Sequence, residues 1–159
     1  MADEPIAGAA LAATAASAAN ALVRVARASD DADLATRAEV LRLQVVGTAR
    51  VNAARYPRAL AARGDEDMGI AYAQAAEPPL ELARIAADLA ALAEEVARRS
   101  LLGLRTDAAV AAILAAATAS GAALLVGINL TAERNDPRVD EARGYAEAAA
   151  QAADRASAL

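Results

Sequence analysis

The chain has no cysteine, no histidine, no lysine, no tryptophan and no phenylalanine, and its 159 residues include only three tyrosines. Each absence removes chemistry. Without Cys there is no disulfide framework, thiolate nucleophile, iron–sulfur ligand or Cys-based zinc site. Without His there is no Ser-His-Asp triad, no imidazole acid–base group and no usual zinc ligand. Without Lys there is no Schiff base and no Walker A loop. Any reaction must run on carboxylates, Arg, Tyr, Asn, Ser/Thr and backbone groups. Carboxylates could hold Mg²⁺, but no spacing recommends a metal, and no metal or cofactor is expected.

All 16 cations are Arg, scattered except for Arg98-Arg99, and the net charge is −5. Phosphate binding needs clustered cations and base stacking needs aromatics, so nucleic acid is not an expected partner. Ala occupies 53 positions. An all-Arg, Ala-loaded composition matches the codon usage of a GC-rich genome, so the missing Lys carries little functional weight.

The N-terminus reads Met1-Ala2-Asp3-Glu4-Pro5, two acids where a signal peptide has cations. Residues 108–128 form 21 uncharged positions, about 30 Å as a helix and enough to cross a bilayer. The stretch is mostly Ala, with Thr118, Ser120, Gly121 and Gly127, and lacks aromatic belts or cationic flanks. The preferred reading is the central helix of a soluble, cytoplasmic bundle, with no membrane partner.

Ala, Leu, Arg and Glu favour helix, and no alternating β-branched run or Asn-Gly turn is present. Six helices are expected in one domain, 1–159. The first runs over 6–28 after Pro5. The second covers 32–62, capped by the Ser29-Asp30-Asp31 cluster and kinked or broken at Pro57. Gly64 closes it and a short helix spans 66–76. A fourth runs over 80–99 after Glu77-Pro78-Pro79. Residues 100–105 read as a loop around Gly103, with Thr106 or Asp107 capping the fifth helix. Asn135-Asp136-Pro137 opens a sixth, to about Ser157. Glu94, Glu95 and Glu133 read as solvated faces, and Glu77 as a turn cap. Small side chains let helices approach closely but bury little area each, so a homodimer is expected to enlarge the buried surface.

On the second helix Leu34, Ala38, Leu41, Val45, Thr48 and Asn52 recur at steps of four and three, one helical face. Thr48 and Asn52 therefore point inward, to line a pocket or to fix helix register. Arg50 lies about 200° round the helix from Asn52, so the two are not expected to face one pocket, and Arg50 reads as a solvated or interface cation.

Residues 75–83 read Ala-Ala-Glu-Pro-Pro-Leu-Glu-Leu-Ala. Arg98-Arg99-Ser100 follows, then Thr106-Asp107-Ala108-Ala109-Val110-Ala111-Ala112, then Gly121-Ala122 and Val126-Gly127-Ile128-Asn129-Leu130. This ordered set resembles the cyclodeaminase domain of formiminotransferase-cyclodeaminase and the related methenyltetrahydrofolate cyclohydrolases, which read roughly A-x-x-V-P-L-x-L-A, then S-D-x-x-V-A-A, then G-A-x-x-N-V-x-I-N-L. The resemblance is specific from Glu77 to Leu130. It implies an all-helical, dimeric fold and C–N bond chemistry or cyclisation of a small molecule, with a tetrahydrofolate derivative as possible substrate; the closely nested helices are expected to leave one internal chamber for it. Such a reaction passes through a tetrahedral carbon and uses proton transfer, the work of a positioned carboxylate.

The departures bear on activity. Where the family has a Gly-Gly-Gly-Ser turn, this chain has Ala7-Gly8-Ala9-Ala10. The family's Asp-x-Asp-Ala-x-Ala-aromatic motif, whose second Asp is regarded as catalytic, matches Arg50-Val51-Asn52-Ala53-Ala54-Arg55-Tyr56, so Asn52 stands for the acid. An amide hydrogen-bonds but exchanges no proton near neutral pH. Leu125 replaces the Asn of the Asn-Val pair, while Asp107 and Asn129 are retained. The resemblance places Asp107 and Asn52 as catalytic positions and Asn129, Thr48, Tyr56, Gly8 and Leu125 around the substrate. Asp107 reads equally as a helix cap, and Asn129 as a helix end. Tyr56 and Tyr72 read as core aromatics with a wet hydroxyl, or as sources of a weak acid. The alternative to a diverged enzyme is a non-catalytic helical dimer or binding module that lost the acid.

Overall fold

A computed structural model describes residues 6–131 and 135–159; Glu133 and the residues before Ile6 lie outside the described residues. Six helices follow one another, with no strand among the described residues: α1 (Ile6–Ala28), α2 (Ala32–Ala61), α3 (Asp65–Ala75), α4 (Glu77–Arg99), α5 (Leu102–Asn129) and α6 (Pro137–Ser157). The all-helical bundle expected from composition is the fold observed.

The core gathers on α4. Its large aliphatics recur every three or four residues, and Leu82, Ile85, Leu89, Leu92 and Val96 are all buried. α4 packs against α1, α2, α5 and α6, and α1 against α2 and α5. α5 lies between α1, α4 and α6, as a central helix should. Only one side of it is enclosed, through Ala108, Ala111, Ala112, Ala115, Ala119 and Ala122. The opposite stripe, Val110, Ile113, Leu124 and Ile128, is half or more exposed. An all-apolar sequence marks a helix for burial without saying against what. Gly121 sets the close approach of α5 to α1: a Cβ there would lie 2.6 Å from Leu11 Cδ2.

Several expected boundaries move. α2 continues through Pro57 to Ala61 and neither breaks nor stops there. α4 begins at Glu77, three residues early, because Pro78 and Pro79 fit a first turn that needs no N–H donors. α5 begins at Leu102, so the expected loop at 100–105 is largely helix and neither Thr106 nor Asp107 is its cap. Asp31 does cap α2, accepting from Leu34 N at 3.1 Å, and Asp136 caps α6, accepting from Arg138 N at 2.9 Å. Gly64, at φ +84°, turns the chain into α3 at Asp65.

Ionic ties hold the perimeter. Glu94, though expected on a solvated face, is buried and accepts from Arg155 Nε and Nη2 at 2.9 Å each and from Arg98. It joins α4 to α6. Glu77 pairs with Arg55 across from α2. Ser29 and Ser100 hydroxyls meet at 3.1 Å, closing the α2 and α5 ends of the bundle together.

Candidate functional site

Along the first half of α1, α1 and α2 leave a groove of about 480 Å³ between them, within the size range of small-molecule sites. Its α1 wall is almost all alanine: Ala9, Ala12, Ala13 and Ala16, after Gly8. Its α2 wall carries Val45, Val46, Ala49 and Ala53, ending at Pro57. Two polar side chains enter it, Asn52 and Arg50. At its inner edge a hollow of about 10 Å³ continues toward Thr48, Pro78, Pro79, Leu82 and Leu125. That is scarcely room for one water, so the recess is an open groove with a narrow floor and not an internal chamber.

Asn52 occupies the floor. Its amide lies so close to Gly8 that a Cβ on residue 8 would sit 2.6 Å from Asn52 Nδ2. Gly8 thus serves a close approach inside a helix, where glycine otherwise costs stability. Thr48 stands one turn earlier on the same face and borders the same hollow. Neither side chain has a hydrogen-bond partner among the described residues. Four expected site residues therefore come together from three helices: Gly8 from α1, Thr48 and Asn52 from α2, and Leu125 from α5.

The others stand apart. Asp107 is exposed inside the second turn of α5 and borders a different hollow, with Arg24, Val25 and Val110. Eighteen residues of helix separate it from Leu125, about 27 Å. Asn129 ends α5 without a left-handed backbone, and its Nδ2 donates to Ala75 O at 3.0 Å, tying α5 to the end of α3. Tyr56 is half-buried on α2 and lines neither the groove nor the hollow.

Arg50 corrects the angular expectation. Asn52 rises from the core side of α2 while the longer Arg50 borders the groove from the solvent side, so one groove takes both. The alanine wall of α1 was also missed; its signal was the recurrence of Ala at 9, 12, 13 and 16, indistinguishable in sequence from helix packing.

No carboxylate lines the groove or its hollow among the described residues. Glu77, beside the double proline, is engaged by Arg55. The described residues also hold no cluster of acids able to bind a metal ion. The arrangement can enclose an apolar body, donate and accept hydrogen bonds through one amide and one hydroxyl, and attract negative charge through one guanidinium.

A family model described as formiminotransferase-cyclodeaminase matches residues 2–148. A crystal structure of formiminotetrahydrofolate cyclodeaminase from Thermotoga maritima superposes with a TM-score of 0.87 at 20% identity, covering 94% of this chain and 84% of that one. No curated protein matches by sequence. With the helical architecture, the proline-led α4 and the family model spanning nearly the whole length, the chain belongs to the formiminotransferase-cyclodeaminase family.

Proposed function

We propose that this chain is a diverged member of its family that holds a small molecule in the α1/α2 groove and acts on a C–N bond of it or promotes its cyclisation. The observation that carries the reading is the pair of unpartnered polar groups, Asn52 and Thr48, at the floor of a groove whose lining is otherwise apolar except for Arg50, with Gly8 giving the amide its room. Polar side chains at such a place orient a ligand, and orientation alone lowers a barrier by several kcal/mol. The amide cannot replace a carboxylate in proton transfer. The second reading, a non-catalytic binding module, is favoured by that same lack of a carboxylate.

The partner proposed for the chain is a second copy, seated on the exposed apolar stripe of α5. That stripe lies on a helix of about 42 Å with no charged residue between Ala108 and Asn129. The outer face of adjoining α1 has none from Ile6 to Val23. Two neighbouring helix faces of this length approach the roughly 800 Å² per partner of a stable interface. A cytoplasmic location is proposed, although α1 and α5 are each long and apolar enough to cross a membrane; both carry helix-packed faces within the bundle.

Absorbance of 5,10-methenyltetrahydrofolate tests the loss of the acid. The native chain is expected to leave the spontaneous hydrolysis rate unchanged, and Asn52→Asp to accelerate it. Acceleration by the native chain contradicts a diverged reaction. No acceleration by the folded Asn52→Asp variant contradicts the assignment of position 52. Saturable binding of a small molecule without turnover of any offered C–N substrate supports the binding module.

A further inference from the structure

The chain is acidic, with net charge −5, but its groove is not. Among the described residues Arg50 is the one charged side chain lining the groove or its floor. On the same helix Arg37, Arg42 and Arg55 are each paired with a glutamate. Arg50 and Arg58 have no such partner among the described residues, and of these two only Arg50 borders the groove. A cation left without an acid in an acid-rich chain is available to a ligand.

The floor shows the same availability. The helical hydroxyls of Thr14, Ser17, Thr36, Thr118, Ser120 and Ser157 each donate to the carbonyl one turn back. Thr48 does not, nor does the exposed Thr106 far along the chain, but only Thr48 borders the groove floor, and the Asn52 amide beside it is also without a partner. The groove thus has a cationic rim on one side and a neutral hydrogen-bonding floor on the other, with alanine and valine methyls between.

We infer that the groove selects a small organic monoanion: a compact apolar body against the Ala/Val walls, a carboxylate at Arg50, and one polar atom meeting Asn52 and Thr48. A guanidinium fork pairs with a carboxylate through two parallel N–H donors. One cation matches one negative charge. A heterocycle with several donors and acceptors around its edge would set most of them against methyl groups, where they lose water and gain no partner. The inference rests on the groove being the binding site.

A calorimetric charge series on one apolar body tests it. The probes are 2-naphthylacetate, 2-(2-naphthyl)ethanol and 2-(2-naphthyl)ethylamine. The carboxylate is expected to bind about fivefold tighter than the alcohol, the upper end for a solvent-exposed ion pair, and the amine weakest. Added salt narrows the gap. Arg50→Gln, at an exposed position, is expected to remove the preference for the carboxylate and leave the alcohol unchanged. Alcohol or amine binding as tightly as the carboxylate overturns the inference, as does a preference that survives Arg50→Gln. The double variant Ala13→Leu/Ala53→Leu, at exposed positions of the two walls, narrows the groove and is expected to weaken all three probes. Unweakened binding there overturns the groove as the site, a result separate from the charge order. No saturable binding of any probe overturns both.

Discussion

At the scale of single residues, the proposed site turns on Gly8 and Asn52. A methyl on residue 8 collides with the amide and not with backbone, so the amide moves aside. Gly8→Ala is therefore expected to separate stability from binding. Helix propensity favours Ala by up to about 1 kcal/mol, so thermal melting should hold or rise while naphthylacetate affinity falls. Unchanged affinity would mean that Asn52 is not a ligand contact. These positions were legible in the sequence, because a stripe at helical spacing carried Thr48 and Asn52 inward and the family resemblance pointed to Gly8 and Leu125. Arg50 was not, because angular position ignores the reach of a long side chain. Asp107 could not be placed either: cap and site are both compatible with one acid near a helix start, and α5 proved to begin five residues earlier.

At the scale of elements, helix packing depends on small residues and, among the described residues, one buried charge, Glu94. Gly121 faces Leu11, half-buried on α1. Gly121→Leu forces α1 and α5 apart and is expected to cost about 1–3 kcal/mol by overpacking, read as a shift in denaturant midpoint. A change under a few tenths of a kcal/mol would mean that the two helices have slack. Glu94 is a second test. The guanidinium of Arg155, then that of Arg98, hold its carboxyl below the ordinary 4.5 against the opposing effect of burial. A carboxyl that titrates lower in the folded chain stabilises fully above its unfolded value and loses that contribution as pH falls through its folded value. Glu94→Gln should therefore lower the melting temperature at neutral pH, with the gap to native closing below about pH 4. A gap independent of pH would show that shape, not charge, joins α4 to α6. Composition and punctuation placed all six helices, while the starts of α4 and α5 were missed. Proline and glycine mark a break equally well on either side, and only packing decides how many flanking residues join the helix.

At the scale of the whole molecule, α5 leaves an apolar stripe uncovered, and a second copy is the proposed cover. Ile113→Glu with Leu124→Glu places charges in the middle of that stripe, at positions that line neither the α1/α2 groove nor its hollow. Sedimentation should show a native dimer and a monomeric, folded double variant. A native monomer at tens of micromolar, or a dimer indifferent to the two glutamates, would remove the stripe as interface. The sequence announced a helix apolar on every side but could not tell a neighbour in the same chain from one in another.

The most direct measurement is the map of backbone amide shifts in isotope-labelled protein titrated with 2-naphthylacetate. Perturbations are expected to concentrate at Gly8, Ala12, Ala49, Asn52 and Ala53. Perturbations that instead centre on Arg24, Asp107 and Val110 would contradict the account and move the site to the other end of α1.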